Sequence, residues 1–148
     1  MAATVKMRVF LDTNVIIDVL SSSHREHRDA SRMIFHAMQT GEFEGFITTQ
    51  SIIDTQYILS KESGFSQELF KRKMLTIMSF VNVTQIDSMS IRDALKNPTG
   101  DFEDDAQFYQ ADAEGFDVIV TSDHRFLERQ TPDGPLFLTP EGMIERMS

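Results

Sequence analysis

Hydrophobic positions follow two rhythms along the chain, a period of two and a period near 3.6, and each change of rhythm marks an element. Val5 to Leu11 (VKMRVFL) is apolar, β-branched or aromatic at most positions and predicts a strand ending at Asp12, after which Thr13 to Leu20 turns helical. Ala30, Met33, Ile34, Ala37 and Met38 recur at helical spacing between His24 and Thr40, with Gly41 as a natural residue after the helix end. Glu44 to Thr48 predicts a short strand and Gln50 to Glu62 another helix, broken at Gly64. Ser66 stands as N-cap of a helix carrying Leu69, Phe70, Met74 and Ile77, and Val81 to Ile86 alternates like a strand. Ser88 to Lys96 and Asp101 to Glu114 read as helices separated by the turn formers Asn97-Pro98-Thr99-Gly100, the second closed by Gly115. Asp117 to Thr121 is a short apolar run suited to a strand covered on both faces. Leu136 to Leu138 predicts an edge strand, and Thr139-Pro140 opens a final helix with Thr as cap and Pro at its first position.

Strands alternating with helices in this way imply an open α/β architecture, a parallel sheet with helices on both faces. The 148 residues, 41% of them hydrophobic, suffice for one domain spanning 1–148, with no linker or internal repeat. Absence of cysteine excludes a disulfide scaffold, a thiolate metal site and a cysteine nucleophile. No apolar run approaches a membrane span, and Met1-Ala-Ala-Thr reads straight into the first strand rather than into a signal segment, so the expected location is the cytoplasm. Fourteen basic against 23 acidic residues give a net charge of −9, the wrong sign for holding nucleic acid by a broad electrostatic footprint. Any such role has to run through a local site.

In open parallel sheets chemistry collects at the carboxyl ends of the strands. Asp12 follows the first strand and Asp123 follows the Val118–Thr121 run, while Asp104 and Asp105 begin one helix and Asp54 lies early in another. Taken singly, each is equally well explained as a cap or turn former. Four acidic places at one edge are harder to explain that way, because converging carboxylates repel one another unless a cation fills the space. Oxygen-only donors favour Mg²⁺ or Mn²⁺ over zinc. Asp18 falls outside the set, and Asp101 and Glu103 read as helix-start acids that favour the macrodipole. His24 and His27 read as part of a solvated, mixed-charge stretch.

Val9-Phe10-Leu11-Asp12-Thr13-Asn14-Val15-Ile16-Ile17-Asp18 resembles the opening of the PIN domain family, metal-dependent ribonucleases that include VapC toxins. Asp101-Phe102-Glu103-Asp104-Asp105-Ala106-Gln107 resembles the family's internal acidic block, and Asp117 to Asp123 its closing strand and last acid. The ending Phe137-Leu138-Thr139-Pro140-Glu141 is also similar, so the likeness spans almost the whole chain. The resemblance implies a PIN-like three-layer sandwich with a mostly parallel central sheet. It implies an endoribonuclease that hydrolyses RNA phosphodiester bonds by a metal-activated water, with Asp12, Asp104 and Asp123 as metal ligands and Asn14 and Thr121 in support. Asp54 stands where the family commonly has Glu and completes the catalytic set. Asp104 and Asp105 point about 100° apart, so only one can face the site, and the alignment favours Asp104. The resemblance further implies a homodimer and, for a toxin, an antitoxin partner.

For phosphate contacts the candidates are Arg25, Arg28, Lys71, Arg72, Lys73, His124 and Arg125, of which Arg125 is best placed. A haloacid-dehalogenase-like phosphatase needs a second Asp where Asn14 stands, and a response-regulator receiver needs a late Lys where none follows Lys96. The non-enzyme alternative is a catalytically weak PIN-like module that binds RNA or protein. Removing charge at Asp12 is expected to leave thermal stability equal or higher, since it relieves carboxylate repulsion.

Overall fold

The computed structural model describes residues 5–148; the reading of Met1 to Thr4 as a direct lead into the first strand lies outside the described residues. Along the chain the elements are β1 (Arg8–Leu11), α1 (Thr13–Leu20), α2 (Arg28–Gln39), β2 (Glu44–Thr48), α3 (Thr49–Leu59), α4 (Gln67–Met78) and β3 (Asn82–Thr84). There follow α5 (Ser88–Lys96), α6 (Phe102–Ala113), β4 (Val118–Val120), α7 (His124–Leu127), β5 (Leu136–Leu138) and α8 (Pro140–Met147). The sheet order is β3-β2-β1-β4-β5, and every described pairing is parallel.

The alternation of each strand divides the interior into two cores. Val9 and Leu11 of β1 and Val118 and Val120 of β4 point to one face, where they pack with Val15, Ile16, Ile34, Ile77 and Met143 from the covering helices. Phe10 and Ile119 point to the other face, where they meet Ala111 of α6, Phe116, Phe126 of α7 and Phe137 of β5. Phe10 and Phe116 pack edge to face with ring centroids 5.6 Å apart. Burying side chains of this size contributes roughly 1.5–3 kcal/mol each, so both layers of helices hold the sheet. The result is the three-layer α/β sandwich expected from the sequence.

Several boundaries differ from the sequence reading for local reasons. The first strand starts at Arg8, because pairing with β2 begins there and Val5 stands out in solvent. The second helix starts at Arg28 rather than His24. Arg28 instead reaches back to the Asp18 and Ser21 carbonyls at the end of α1, 3.0 and 2.6 Å away, and ties the connector down. β3 is shorter than expected because only Asn82–Thr84 finds a partner, in β2. The short α7 carries no periodicity long enough to be read; Asp123 caps it by accepting from the Arg125 backbone N–H at 2.9 Å. Gly41 and Gly115 close α2 and α6 at φ values of 78° and 69°, the left-handed conformation that glycine adopts without penalty. Among the described residues no helix is long and apolar enough to cross a membrane.

Candidate functional site

β2 and β3 lie to one side of β1, and β4 and β5 to the other, so the carboxyl ends of β1 and β4 face a gap that no crossover fills. A cleft of about 530 Å³ opens there. Asp12, Asp54, Asp104 and Asp123 all line it, with Asn14 and Arg125, as do Asp101 and Glu103. Four carboxylates that the sequence places at separate points are thus brought together, joined by two others.

Asp12 is the most constrained. The backbone at Asp12 continues β1 by donating to the Val120 carbonyl at 3.0 Å, and its carboxylate caps α1 by accepting from the Thr13 N–H at 2.8 Å. The other oxygen accepts from Thr121 Oγ1 at 2.7 Å and from Asn14 Nδ2 at 3.0 Å. Thr121 Oγ1 in turn accepts from the Asp123 N–H at 3.0 Å, so one hydroxyl locks the first and last acids together across the β1–β4 pair. Asn14 closes the arrangement by accepting from Ser122 N–H at 3.3 Å. On the β2 side, Thr13 and Ser51 hydroxyls bond at 2.8 Å, which fixes α3 and its Asp54 relative to α1.

Helix α6 settles which of its acids faces the cleft. Asp101 caps it by accepting from the Asp104 N–H at 3.0 Å, and Glu103, Asp104 and Gln107 line the cleft from its first turns. Asp105 turns away, fully buried, to accept from Asn97 Nδ2 at 2.9 Å and pair with the Arg129 guanidinium. The Asp105 Oδ1 atom has Arg129 as its neighbour but no well-directed hydrogen bond. Asp18 is buried in a separate network, held by Arg25 Nε at 2.7 Å and Ser31 Oγ at 2.8 Å.

Electrostatics follow from the crowding. Burial pushes the Asp104 carboxyl up to about 7, with Asp101, Asp123 and Asp12 adding repulsion. Glu103 is raised by burial and then by Asp54 and Asp12. Asp12 is raised by burial despite its hydrogen bonds from Thr121 and Thr13, which pull the other way. For each, the folded protein keeps a proton that the unfolded chain has already released, so ionisation costs stability. For Asp104 in the metal-free protein this contribution is complete below the unfolded value near 3.8 and is lost as pH rises through about 7. Melting temperature measured from about pH 5 to 8 is therefore expected to fall more steeply for the wild type than for Asp104→Asn, which lacks the titrating group. Equal slopes would remove Asp104 as the source.

Among the described residues no three His, Asp or Glu side chains already form a cage that could hold a metal ion directly. The donor set nonetheless suits a hard cation that keeps several of its waters and takes only one or two protein carboxylates, as Mg²⁺ does. Arg125 is the one cationic side chain lining the cleft among the described residues, too little to balance six carboxylates. The other phosphate-contact candidates stand elsewhere or are engaged: Arg25 and Arg28 secure the α1–α2 connector, and Lys73 borders a separate groove between α1 and α4. His27 is half-buried and bonded to Glu141 at 2.7 Å, not part of a free solvated face.

Sequence reasoning missed Glu103 and Gln107 as cleft residues. Their positions one and three residues from Asp104 on a helix carry the signal only once the facing side of α6 is known.

Fold and cleft together define the class. The chain belongs to the PIN domain family, whose sequence model matches residues 8–125. Among solved structures it is similar to PAE2754 from Pyrobaculum aerophilum, at 18% identity and a TM-score of 0.64, covering 95% of each chain. It is similar to VapBC2 from Rickettsia felis bound to a DNA fragment from their promoter, at 17% identity and a TM-score of 0.62, covering 90% of this chain and 98% of that one. VapC20 from Mycobacterium tuberculosis, a sarcin-ricin loop cleaving toxin, aligns at 12% identity and a TM-score of 0.64, covering 86% of this chain and 99% of that one. At these identities the likeness is one of fold. A comparison with curated proteins finds no match in sequence.

Proposed function

We propose that this chain, acting as one unit over residues 1–148, is a Mg²⁺- or Mn²⁺-dependent endoribonuclease that hydrolyses RNA phosphodiester bonds. The observation that carries the reading is the convergence of six carboxylates, from four stretches of sequence, on one cleft with a single arginine. Natural folds avoid such uncompensated charge unless a cation and an anionic substrate complete it. Asp12, Asp104 and Asp123 would hold the ion, with Asp54 acting through water because its side chain is one methylene shorter than Glu. When bound, the ion lowers the pKa of a water and neutralises phosphate charge. Thr121 and Asn14 fix the orientation of Asp12, and Arg125 at the rim contacts a phosphate of the strand.

Cleavage of a pool of single-stranded and structured RNA by the purified protein tests this directly. Cutting is expected with Mg²⁺ or Mn²⁺ and is expected to be abolished by EDTA. Metal binding without cutting of any RNA in the pool would favour a second reading, a catalytically weak module that binds RNA or protein, which the Asp54 position and the lack of a ready-made cage among the described residues support. We further propose a cytoplasmic toxin role with an antitoxin partner, supported by the fold shared with VapBC2 and VapC20. Exposed Ile53 and Tyr57 on α3 and Met89 and Leu95 on α5 support a homodimer, which light scattering after gel filtration would detect.

A further inference from the structure

The two walls of the cleft differ in character. Asp101, Glu103 and Asp104 stand along the α6 side, whereas the wall built by α1 and α3 carries Ile17, Tyr57 and Ile58 beside Asp54. Asp54, Tyr57 and Ile58 fall at the spacing that puts side chains on one stripe of a helix. Tyr57 is 60% exposed while lining this opening. The Lys61 ammonium, four residues on, stands over the tyrosine ring 4.4 Å from its centroid.

Carboxylates, a bound cation and Arg125 account for a phosphate but offer nothing to a base. With a net charge of −9 the protein cannot hold a strand by a broad electrostatic footprint, so part of the affinity has to come from contacts that do not rest on charge. An exposed aromatic ring supplies such a contact to an unpaired base. The cation over the ring steadies it at the cleft wall. Tyr57 also stands near Ile53 on the outer face of α3, so a second copy of the chain is the competing occupant; Tyr57 differs from Ile53 in lining the cleft, which favours the base.

We propose that Tyr57 is a base-stacking residue, the place on the α3 wall where an unpaired base of the RNA strand lies next to the phosphate held at the carboxylates. The inference rests on the RNA reading proposed above.

The test measures Mn²⁺-dependent cleavage of a single-stranded RNA by wild type, Tyr57→Ala and Tyr57→Phe. Tyr57→Ala is expected to raise KM about tenfold with little change in kcat or melting temperature, and Tyr57→Phe, which keeps the ring, to restore KM. The chain has no tryptophan and two tyrosines, Tyr57 and Tyr109, so tyrosine emission reports the contact directly. With Mn²⁺ present, adenosine 5′-monophosphate is expected to quench it and ribose 5-phosphate, which lacks the base, is not; Tyr57→Phe, where Tyr109 still emits, controls for absorption by adenine. A KM within twofold of wild type in Tyr57→Ala would overturn the inference while leaving the nuclease standing. A raised KM accompanied by a change of oligomeric state in light scattering would overturn it too, assigning the ring to a second copy of the chain. Wild-type protein that cuts no RNA would defeat the nuclease reading, and the titration then decides the base contact alone: equal quenching by both phosphates, or none, overturns it.

Discussion

Asp104→Asn is expected to reduce metal-dependent RNA cleavage by about a hundredfold or more while leaving the protein folded and, above neutral pH, more stable than wild type. The loss is of the size seen when one charged or oriented group that stabilises the transition state is removed. Among the described residues no donor bonds to the Asp104 carboxyl; the contact Asp104 makes at the helix start is through its backbone N–H. Removing its charge therefore relieves repulsion from Asp101, Asp123 and Asp12 without breaking the frame. Asp12→Asn is expected to abolish cleavage to the same degree but with a different stability signature. All three donors to Asp12 need acceptor oxygens, and an asparagine amide offers only one, so either Thr13 N–H or the Thr121 and Asn14 pair is left facing an NH₂ group. Equal or higher stability from charge relief is therefore expected for Asp104→Asn, while for Asp12→Asn the lost acceptor is expected to offset it. Single-turnover cleavage and thermal melting on the same preparations check both variants. Full activity in Asp104→Asn would sink the assignment of that residue.

The second large effect concerns a residue that touches no substrate. Asp105→Ala is expected to destabilise the fold by about 3–5 kcal/mol, the cost of leaving the partner of a buried ion pair without its counter-charge. Arg129 is stacked on Phe108 with its charge 4.9 Å from the ring centroid and cannot simply swing into solvent without giving up that contact. Asn97 would lose its acceptor as well, and with it the turn through Gly100, whose φ of 93° brings the chain close over the Asp105 carboxylate. Equilibrium urea unfolding measures the difference. A loss below about 1 kcal/mol would show that the pair behaves like a solvent-screened one. Because Asp105 anchors the same turn of helix that presents Asp104, cleavage is expected to fall with stability here, in contrast to Asp104→Asn.

Much of this was legible in the sequence, for identifiable reasons. Val9 to Leu11 of β1 and Val118 to Val120 of β4 are short apolar runs with both faces buried, too short for a helix. Ser66 and Thr139 stand where caps are expected and accept from Leu69 and Gly142 as N-caps do. Asp12 and Asp123 were placed at the carboxyl edge because strand ends fix where the next residue lies. Rotation about a helix axis is less legible. Glu103 reads as a helix-start acid, and it is one, yet it also lines the cleft, because the direction α6 faces is set by Phe116, Phe126 and Phe137 beneath it. The turn at Asp105 was decided by Arg129, twenty-four residues later in the chain, and no local pattern announces that pairing. The Gln107 side-chain oxygen, buried with no hydrogen-bond partner among the described residues, is a property of the assembled interior and has no sequence signature at all.

The hydrogen bond from Thr121 to Asp12 joins positions 109 residues apart, and the strands beneath it, β1 and β4, are neighbours only in the finished sheet. At ordinary rates of protein synthesis, about 5–20 residues per second, roughly 5–20 s separate the making of one half of the cleft from the other. During that interval Asp12 exists without Thr121, Asp123 or Arg125, and the acidic edge has no shape. A chain that has not yet made β4 therefore has no assembled cleft. The geometry of the cleft is thus a property of the folded domain as a whole, acquired in one step when β4 docks beside β1, and no shorter stretch of the chain carries any part of it.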